Sequence, residues 1–229
     1  MTIPIYIISH NRKSYLSQLI DRLETVEDID IIIIDNGSTY EPLIEYYKTI
    51  PHEIIYLENL GHFSPWIANV VPDKSFYAVT DCDVMPCSYA PNDFPKFMTD
   101  VLKSNSELLK VGFSLRIDNL PDHYQFKKNV IDWENQYYND LLEVRDGVPL
   151  YRAPIDTTFA FYNIGKRHDG YNDAHLYSSI RTGHPYSAVH LPWYSDTSAP
   201  SEEEIFYLQN GNRDIISWSH ESVAGYLQT

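Results

Sequence analysis

The chain has 229 residues, 43% hydrophobic and 14% aromatic, enough to bury one full core and to form a single globular domain. Its 17 basic against 32 acidic residues give a formal charge of −15, which argues against nucleic acid and anionic membrane as partners. The two cysteines, Cys82 and Cys87, are too few for a disulfide framework or a zinc site, and no stretch approaches the roughly 20 apolar residues of a membrane span.

From the N-terminus, Ile3–Ile8 is a continuous apolar run ending in Ser9-His10-Asn11-Arg12. It is too short for a signal peptide and is followed, not preceded, by Arg12-Lys13, so a soluble protein of the reduced cytoplasm is expected. Residues 14–25 place Leu16, Leu19, Ile20 and Leu23 at helical spacing. Ile29–Ile34 is a second apolar, β-branched run, closed by Asp35-Asn36-Gly37-Ser38. Residues 41–49 read as helix, Glu53–Leu57 as a third strand and Ser75–Thr80 as a fourth, leading into Asp81. Strands without polar alternation are covered on both faces, and intervening helices imply parallel order. Residues 1–85 therefore read as a βαβαβ half of an open α/β sheet, in which ligands bind beyond the carboxyl ends of the strands. Three of the four strands end at that edge in a polar cluster: residues 9–12, 35–38 and 81–83.

Further along, Phe94–Leu102 reads as a helix and Leu109–Ile117 as a strand. Residues 118–150 are polar and aromatic, with Trp133, Tyr137 and Tyr138. A strand-like Thr157–Tyr162, a loop rich in Gly, Asp and His, the segment His190-Leu191-Pro192-Trp193-Tyr194 and a short helix over Glu202–Leu208 follow. Residues 86–210 form the second half of the domain, and no role is legible in the tail 211–229.

Asp81 and Asp83 carry the most chemistry. Were strand geometry to persist through Asp83, both carboxylates would point to one face. Two such groups repel unless a cation sits between them, and a hard divalent ion would relieve the repulsion while holding a diphosphate. The competing reading is an acidic turn after a strand. Cys82 would face the other way and pack as a small buried apolar group.

The chain resembles GT-A nucleotide-sugar glycosyltransferases, in particular family 2-like enzymes and the small soluble ones of bacteria and large DNA viruses, a chlorella-virus capsid glycosyltransferase among the latter. The matching stretches occur in family order: Ile7-Ile8-Ser9-His10-Asn11-Arg12, Ile34-Asp35-Asn36-Gly37-Ser38, Asn59-Leu60-Gly61, Thr80-Asp81-Cys82-Asp83, Ile155-Asp156-Thr157-Thr158-Phe159 and His190-Leu191-Pro192-Trp193-Tyr194. One departure is His62, where the family favours proline. The resemblance implies a Rossmann-like, mixed but mainly parallel sheet flanked by helices, with a nucleotide-binding half, an acceptor-binding half and a metal at the join.

By resemblance, Ser9, His10, Asn11 and Arg12 lie against the nucleoside, with Arg12 reaching phosphate; the alternative is that they cap the following helix. Asp35 would accept hydrogen bonds from the base or ribose, or else simply form a turn. Asn59 and Gly61 would approach the nucleotide, though Gly61 also suits a plain turn. Asp81 and Asp83 would hold Mn²⁺ or Mg²⁺ with His190 as third ligand and His184 in reserve, one carboxylate acting through water or the ribose. Arg181 would contact the diphosphate, a surface salt bridge being the competing role. Asp156 is the candidate catalytic base, with Glu134 and Asp118 as alternatives; locally it would organise Thr157 and Thr158. Trp66, Trp133 and Trp193 are candidates for sugar contact.

The implied activity is metal-dependent transfer of a sugar from a nucleoside diphosphate sugar, UDP-linked, to a glycan or glycoprotein hydroxyl with inversion. The alternatives are an inactive relative that binds carbohydrate or nucleotide in the same cleft, and a sugar-phosphate nucleotidyltransferase. The latter usually carries a Gly-rich, Arg-containing loop after its first strand, a pattern that Ser9-His10-Asn11-Arg12-Lys13 lacks.

Overall fold

The computed structural model describes residues 2–155, 159–167 and 178–210. Four parallel strands, β1 (Ile3–Ser9), β2 (Ile29–Asn36), β3 (Glu53–Leu57) and β4 (Tyr77–Asp81), lie in the order β3-β2-β1-β4. Their side chains divide with a period of two between the faces of the sheet. Ile5 and Ile7 of β1 and Ile31 and Ile33 of β2 pack into one core layer, whereas Tyr6, Ile8, Ile32 and Ile34 pack into the other. Burial on both faces is why β1, β2 and β4 are near-continuous apolar runs, whereas β3, at the sheet edge, leaves Glu53 and Tyr56 exposed.

The first layer is closed by α1 (Lys13–Leu23), whose Leu16, Leu19, Ile20 and Leu23 form one buried stripe, and by α4 (Phe94–Ser104), which buries Phe94, Met98, Val101 and Leu102. Proline sits at the start of α4, where its missing N–H costs no helical bond. Two shorter helices, α2 (Glu41–Tyr47) and α3 (Ser64–Ile67), follow β2 and a 3₁₀ turn at Gly61–Phe63. Trp66 of α3 packs in the second layer and donates from Nε1 to the Tyr77 hydroxyl at 3.0 Å.

Beyond β4 the sheet becomes mixed. β9 (Ala160–Tyr162) runs antiparallel between β4 and β6 (Lys110–Leu115), so β6 returns to the direction of β1. β10 (Ser179–His190) lies parallel to β6 and carries its C-terminal residue to the same edge as Asp81. A hairpin of β7 (Leu141–Arg145) and β8 (Val148–Arg152) closes the far side, and β5 (Val84–Pro86) pairs antiparallel with the end of β10. Between them lies α5 (Lys127–Glu134), and α6 (Glu202–Asn210) comes last. Among the described residues no helix is long and apolar enough to cross a membrane.

The mixed, parallel-centred α/β architecture is the one expected. The predicted strand through 109–117 stops at Leu115, and of the expected strand at 157–162 only Ala160–Tyr162 is strand among the described residues. The hairpin β7–β8, the helix α5 and the length of β10 have no counterpart in the sequence reading.

β6 and β9 meet at Gly112. A Cβ there would sit 2.5 Å from the Phe159 carbonyl oxygen and 3.1 Å from Ala160 Cα. Gly112→Ala is therefore expected to push two central strands apart and to cost about 1–3 kcal/mol, seen as a lower urea midpoint at unchanged slope.

Candidate functional site

Strand register aligns the polar cluster. Ser9 pairs with Asp35 across β1 and β2, and Ile8 pairs with Asp81 across β1 and β4, so the three polar strand ends share one edge. Behind them, Ser9 and Asp35 are buried and share a partner on α2. The Tyr47 hydroxyl donates to Asp35 Oδ1 at 2.9 Å and lies 3.0 Å from Ser9 Oγ. A phenol has one proton to give, so the serine hydroxyl completes the chain by donating back. Burial, with Asp35 next to it, raises the pKa of Tyr47, which stays protonated. Asp35 Oδ2 also accepts from the Ser38 N–H at 3.2 Å.

The loop after β1 is a clamp. Asn11 has φ +55° and accepts from the Thr39 and Tyr40 N–H groups at 2.7 and 3.0 Å, while its own N–H reaches Ser38 Oγ at 3.1 Å. Asn11 thus ties the first polar cluster to the second, and the N-cap residue of α1, Arg12, makes no capping hydrogen bond with its own side chain. His10 Nδ1 lies 3.0 Å from the Asn36 carbonyl oxygen, which can only accept, so the proton sits on Nδ1 and Nε2 accepts from Asn11 Nδ2 at 3.1 Å.

Burial lowers the pKa of His10; Arg12 also lowers it, while the Asn36 carbonyl and Asp35 oppose. Below its ordinary 6.5 the unfolded chain takes up a proton that the folded imidazole refuses, so this contribution is present at higher pH and is lost as pH falls. The urea midpoint is expected to drop between about pH 7 and 5, and His10→Gln is expected to flatten that slope.

Asn36 performs a service that sequence reasoning missed. Its Oδ1 accepts from the Leu60 N–H at 2.9 Å and its Nδ2 donates to the Gly61 carbonyl at 3.0 Å, which pins the Asn59–Gly61 loop against the strand end. Asn59 Oδ1 in turn accepts from the Gly61 N–H at 3.1 Å. Gly37, at φ +75°, allows the close approach, since a Cβ there would lie 2.9 Å from the Asn59 nitrogen.

β4 ends at Asp81 and the chain turns through Cys82 and Asp83, so strand geometry does not persist and the same-face argument for the two carboxylates does not apply. The turn is held by its backbone: the Cys82 N–H donates to the Ile8 carbonyl at 3.0 Å, and the Leu191 N–H to the Asp83 carbonyl at 2.8 Å. The second bond, with the β5–β10 ladder that pairs His190 with Val84, brings His190 to Asp83. His190 Nε2 lies 3.7 Å and Arg12 Nη1 3.9 Å from Asp83 Oδ2. Trp193 is buried against the His190 ring, with centroids 4.8 Å apart. Cys82 is buried, and desolvation holds its thiol pKa well up, as suits an inert apolar group.

The remaining candidates lie elsewhere. Arg181 is 3% exposed and donates to Glu134 Oε2 and the Pro154 carbonyl, both at 2.8 Å, with its guanidinium 4.1 Å from the Tyr137 ring centroid. It forms a buried ion pair rather than the surface one considered above, and that pair commits Glu134 as well. Asp118 is exposed and bonded to Arg116, and His184 packs at a tilt against Tyr89, with ring centroids 5.1 Å apart. Trp66 is core and Trp133 is 54% exposed. Asp156 lies outside the described residues. Among the described residues, no three His, Cys, Asp or Glu side chains are gathered closely enough to hold a metal ion by themselves.

No protein-family model and no curated protein matches the sequence. Among solved structures, a mannosyltransferase from Pyrobaculum calidifontis, described in complex with GDP-mannose and Mn²⁺, aligns at TM-score 0.49 and 12% identity, over 90% of this chain and 59% of its own. The chain thus spans less than two thirds of that enzyme. Mannose-6-phosphate isomerase from Helicobacter pylori aligns at TM-score 0.42 and 14% identity over 72% of both chains. A 4-diphosphocytidyl-2C-methyl-D-erythritol synthase aligns at TM-score 0.41 and 11% identity over 91% and 99%.

Proposed function

We propose that this protein is a glycosyltransferase that uses a nucleoside diphosphate sugar and a divalent cation. The observation that carries the reading is the meeting of Arg12, Asp83 and His190, from three separate segments, at the carboxyl edge of a parallel sheet. Behind it, the Ser9–Tyr47–Asp35 chain and the Asn36-pinned loop supply a rigid polar wall for a nucleoside, with Asn59 and Gly61 at its rim.

Asp83 and His190, with Asp81 at the same turn, are oxygen and nitrogen donors of the kind that suit Mn²⁺, and Asp81 and Asp83 alone suit Mg²⁺. A cation bound through one or two carboxylates takes its other ligands from substrate phosphates and water, so it needs no ready-made three-residue cluster. When bound, it would neutralise charge growing on the departing diphosphate. Arg12 contributes a fixed positive charge beside the same oxygens. Asp156, assigned from the sequence resemblance, takes the proton of the acceptor hydroxyl as its oxygen attacks the anomeric carbon and the bond to the diphosphate breaks, with inversion. Arg181 has no part in this scheme, because Glu134 already holds it.

Calorimetry with UDP- and GDP-linked sugars, in Mn²⁺, in Mg²⁺ and in chelator, tests the reading. One nucleotide class is expected to bind in metal, to weaken at least about tenfold in chelator, and to be lost in Asp81→Ala/Asp83→Ala. Folded protein that binds none of them overturns the proposal. Pyrophosphate release from a nucleoside triphosphate and a sugar phosphate would identify a nucleotidyltransferase instead.

A further inference from the structure

Helix α6 lies across the mouth of this site. The backbone N–H of Ser14 donates to both carboxylate oxygens of Glu203, at 3.0 and 3.1 Å, and the Ser14 hydroxyl bonds the same group. Glu204 reaches Arg12, its Oε1 3.5 Å from Nη1, and accepts from the Tyr15 hydroxyl at 3.3 Å. The Arg12 guanidinium lies over the Tyr207 ring, 3.7 Å from Cζ to centroid, and Phe206 packs on Tyr40 at 4.9 Å. Arg12, placed where a phosphate-binding cation is needed, is thereby left only 7% exposed.

The arrangement is electrostatically complete but poor in hydrogen bonds. Nη1 faces Asp83 and Glu204 at 3.9 and 3.5 Å, beyond good hydrogen-bonding distance, and among the described residues neither Nη1 nor Nε has a hydrogen-bond partner. A buried guanidinium with orphan donors is costly, and a phosphate offers the planar fork the oxygens it lacks. A chain built to keep Arg12 as a structural pair would hold its partner closer, as Arg181 does with Glu134 at 2.8 Å.

We propose that α6 is a lid latched over the diphosphate position, in which Glu204 stands in for a substrate phosphate on Arg12 and Tyr207 seals the cation from solvent. The inference rests on the nucleotide reading above for the identity of the ligand, but not for the latch itself. Bound anion and latched helix compete for one guanidinium, so the apparent affinity of the free protein is reduced by the fraction of molecules with α6 open. A lid closed in about nine molecules of ten weakens binding about tenfold. Ser14 and Tyr15, at the start of α1, are the receiving half of the latch.

The test uses the full chain, with UDP, GDP and inorganic pyrophosphate as probes, each with Mg²⁺. Glu204→Gln and, separately, Tyr207→Leu are compared with wild type by calorimetry and by amide hydrogen exchange over residues 202–210. Tyr207→Leu is needed because removing a carboxylate raises anion affinity by simple Coulomb attraction, whereas losing a phenol changes no charge. The expected result is faster exchange over 202–210 in both variants, with α4 and the part of α1 after Tyr15 unchanged. Affinity for at least one probe is expected to rise about three- to tenfold in both, and probe addition to wild type is expected to speed exchange over 202–210.

If pyrophosphate shows these effects and neither nucleotide binds, the latch stands and the nucleotide reading falls. If Glu204→Gln alone binds tighter, or if the variants bind every probe as wild type does or more weakly, α6 is not a competing lid. Slower exchange over 202–210 on probe binding would likewise overturn the proposal, making the helix a part of the bound site.

Discussion

Glu134→Ala is expected to lower the unfolding free energy by about 3–5 kcal/mol, because it strands a buried cation. Glu134 and Arg181 meet at 2.8 Å with side chains 5% and 4% exposed, and the guanidinium is further fixed by the Pro154 carbonyl and the Tyr137 ring. Their mutual attraction is large only because water is excluded, and that same exclusion makes a solitary charge expensive. Glu134→Gln keeps the shape and one acceptor, so it should cost less than the alanine variant. Arg181→Met combined with Glu134→Leu should recover most of the loss, since an apolar pair of similar volume can replace a buried ion pair at little cost. Urea denaturation of the four proteins at one pH checks the series. An alanine variant within about 1 kcal/mol of wild type would mean that water reaches Arg181.

The pair also shows where sequence reading stops. An arginine late in the chain has the right chemistry for a phosphate, and nothing near position 181 says otherwise. The partner that commits it lies 47 positions away, on a helix that polar residues hide. β1, β2 and β4 were legible because burial on both faces leaves a near-continuous apolar run, and the edge strand β3 because Ile54-Ile55-Tyr56-Leu57 is apolar with β-branched and aromatic side chains. The hairpin β7–β8 was not, because an edge hairpin leaves Leu141, Leu142 and Val144 exposed and asks for no such run. At the site, the residues at strand ends were visible as polar clusters, and register then placed Ser9, Asp35 and Asp81 at one edge. Tyr47 and Asn36 were missed for opposite reasons. Tyr47 reads as a core residue of α2 until the helix docks its hydroxyl on Asp35, and Asn36 reads as part of a turn until its amide is seen to hold a loop 24 residues on. The role of α6 was hidden too, since a short acidic helix by itself says nothing of the cation it covers.

Asp83→Asn is expected to reduce kcat/KM for sugar transfer at least about a hundredfold while leaving the protein folded. In the proposed scheme this carboxylate has two functions. It is a donor to the divalent cation, and it sets the charge balance between Arg12 and His190, each within 4 Å of its Oδ2. The amide keeps the shape and one neutral acceptor, so packing at the turn survives. The turn itself is held by backbone bonds from Cys82 to Ile8 and from Leu191 to Asp83, which the substitution does not touch. The side chain is 16% exposed, so water can partly replace what the carboxylate offered, and a stability change under about 1 kcal/mol is expected. The partition of the kinetic loss carries the information. If Asp83 mainly holds the cation, raising Mg²⁺ or Mn²⁺ should restore part of kcat, and the metal concentration for half-activity should move upward about 10–100-fold. If it instead only tempers Arg12, metal dependence should stay put and the hundredfold loss should not appear: KM for the donor falls at unchanged kcat, because a less neutralised guanidinium grips the diphosphate more tightly in ground and transition state alike. A folded Asp83→Asn protein with wild-type turnover at low metal would remove this carboxylate from the mechanism, and with it the reason for placing the reaction at this corner of the sheet.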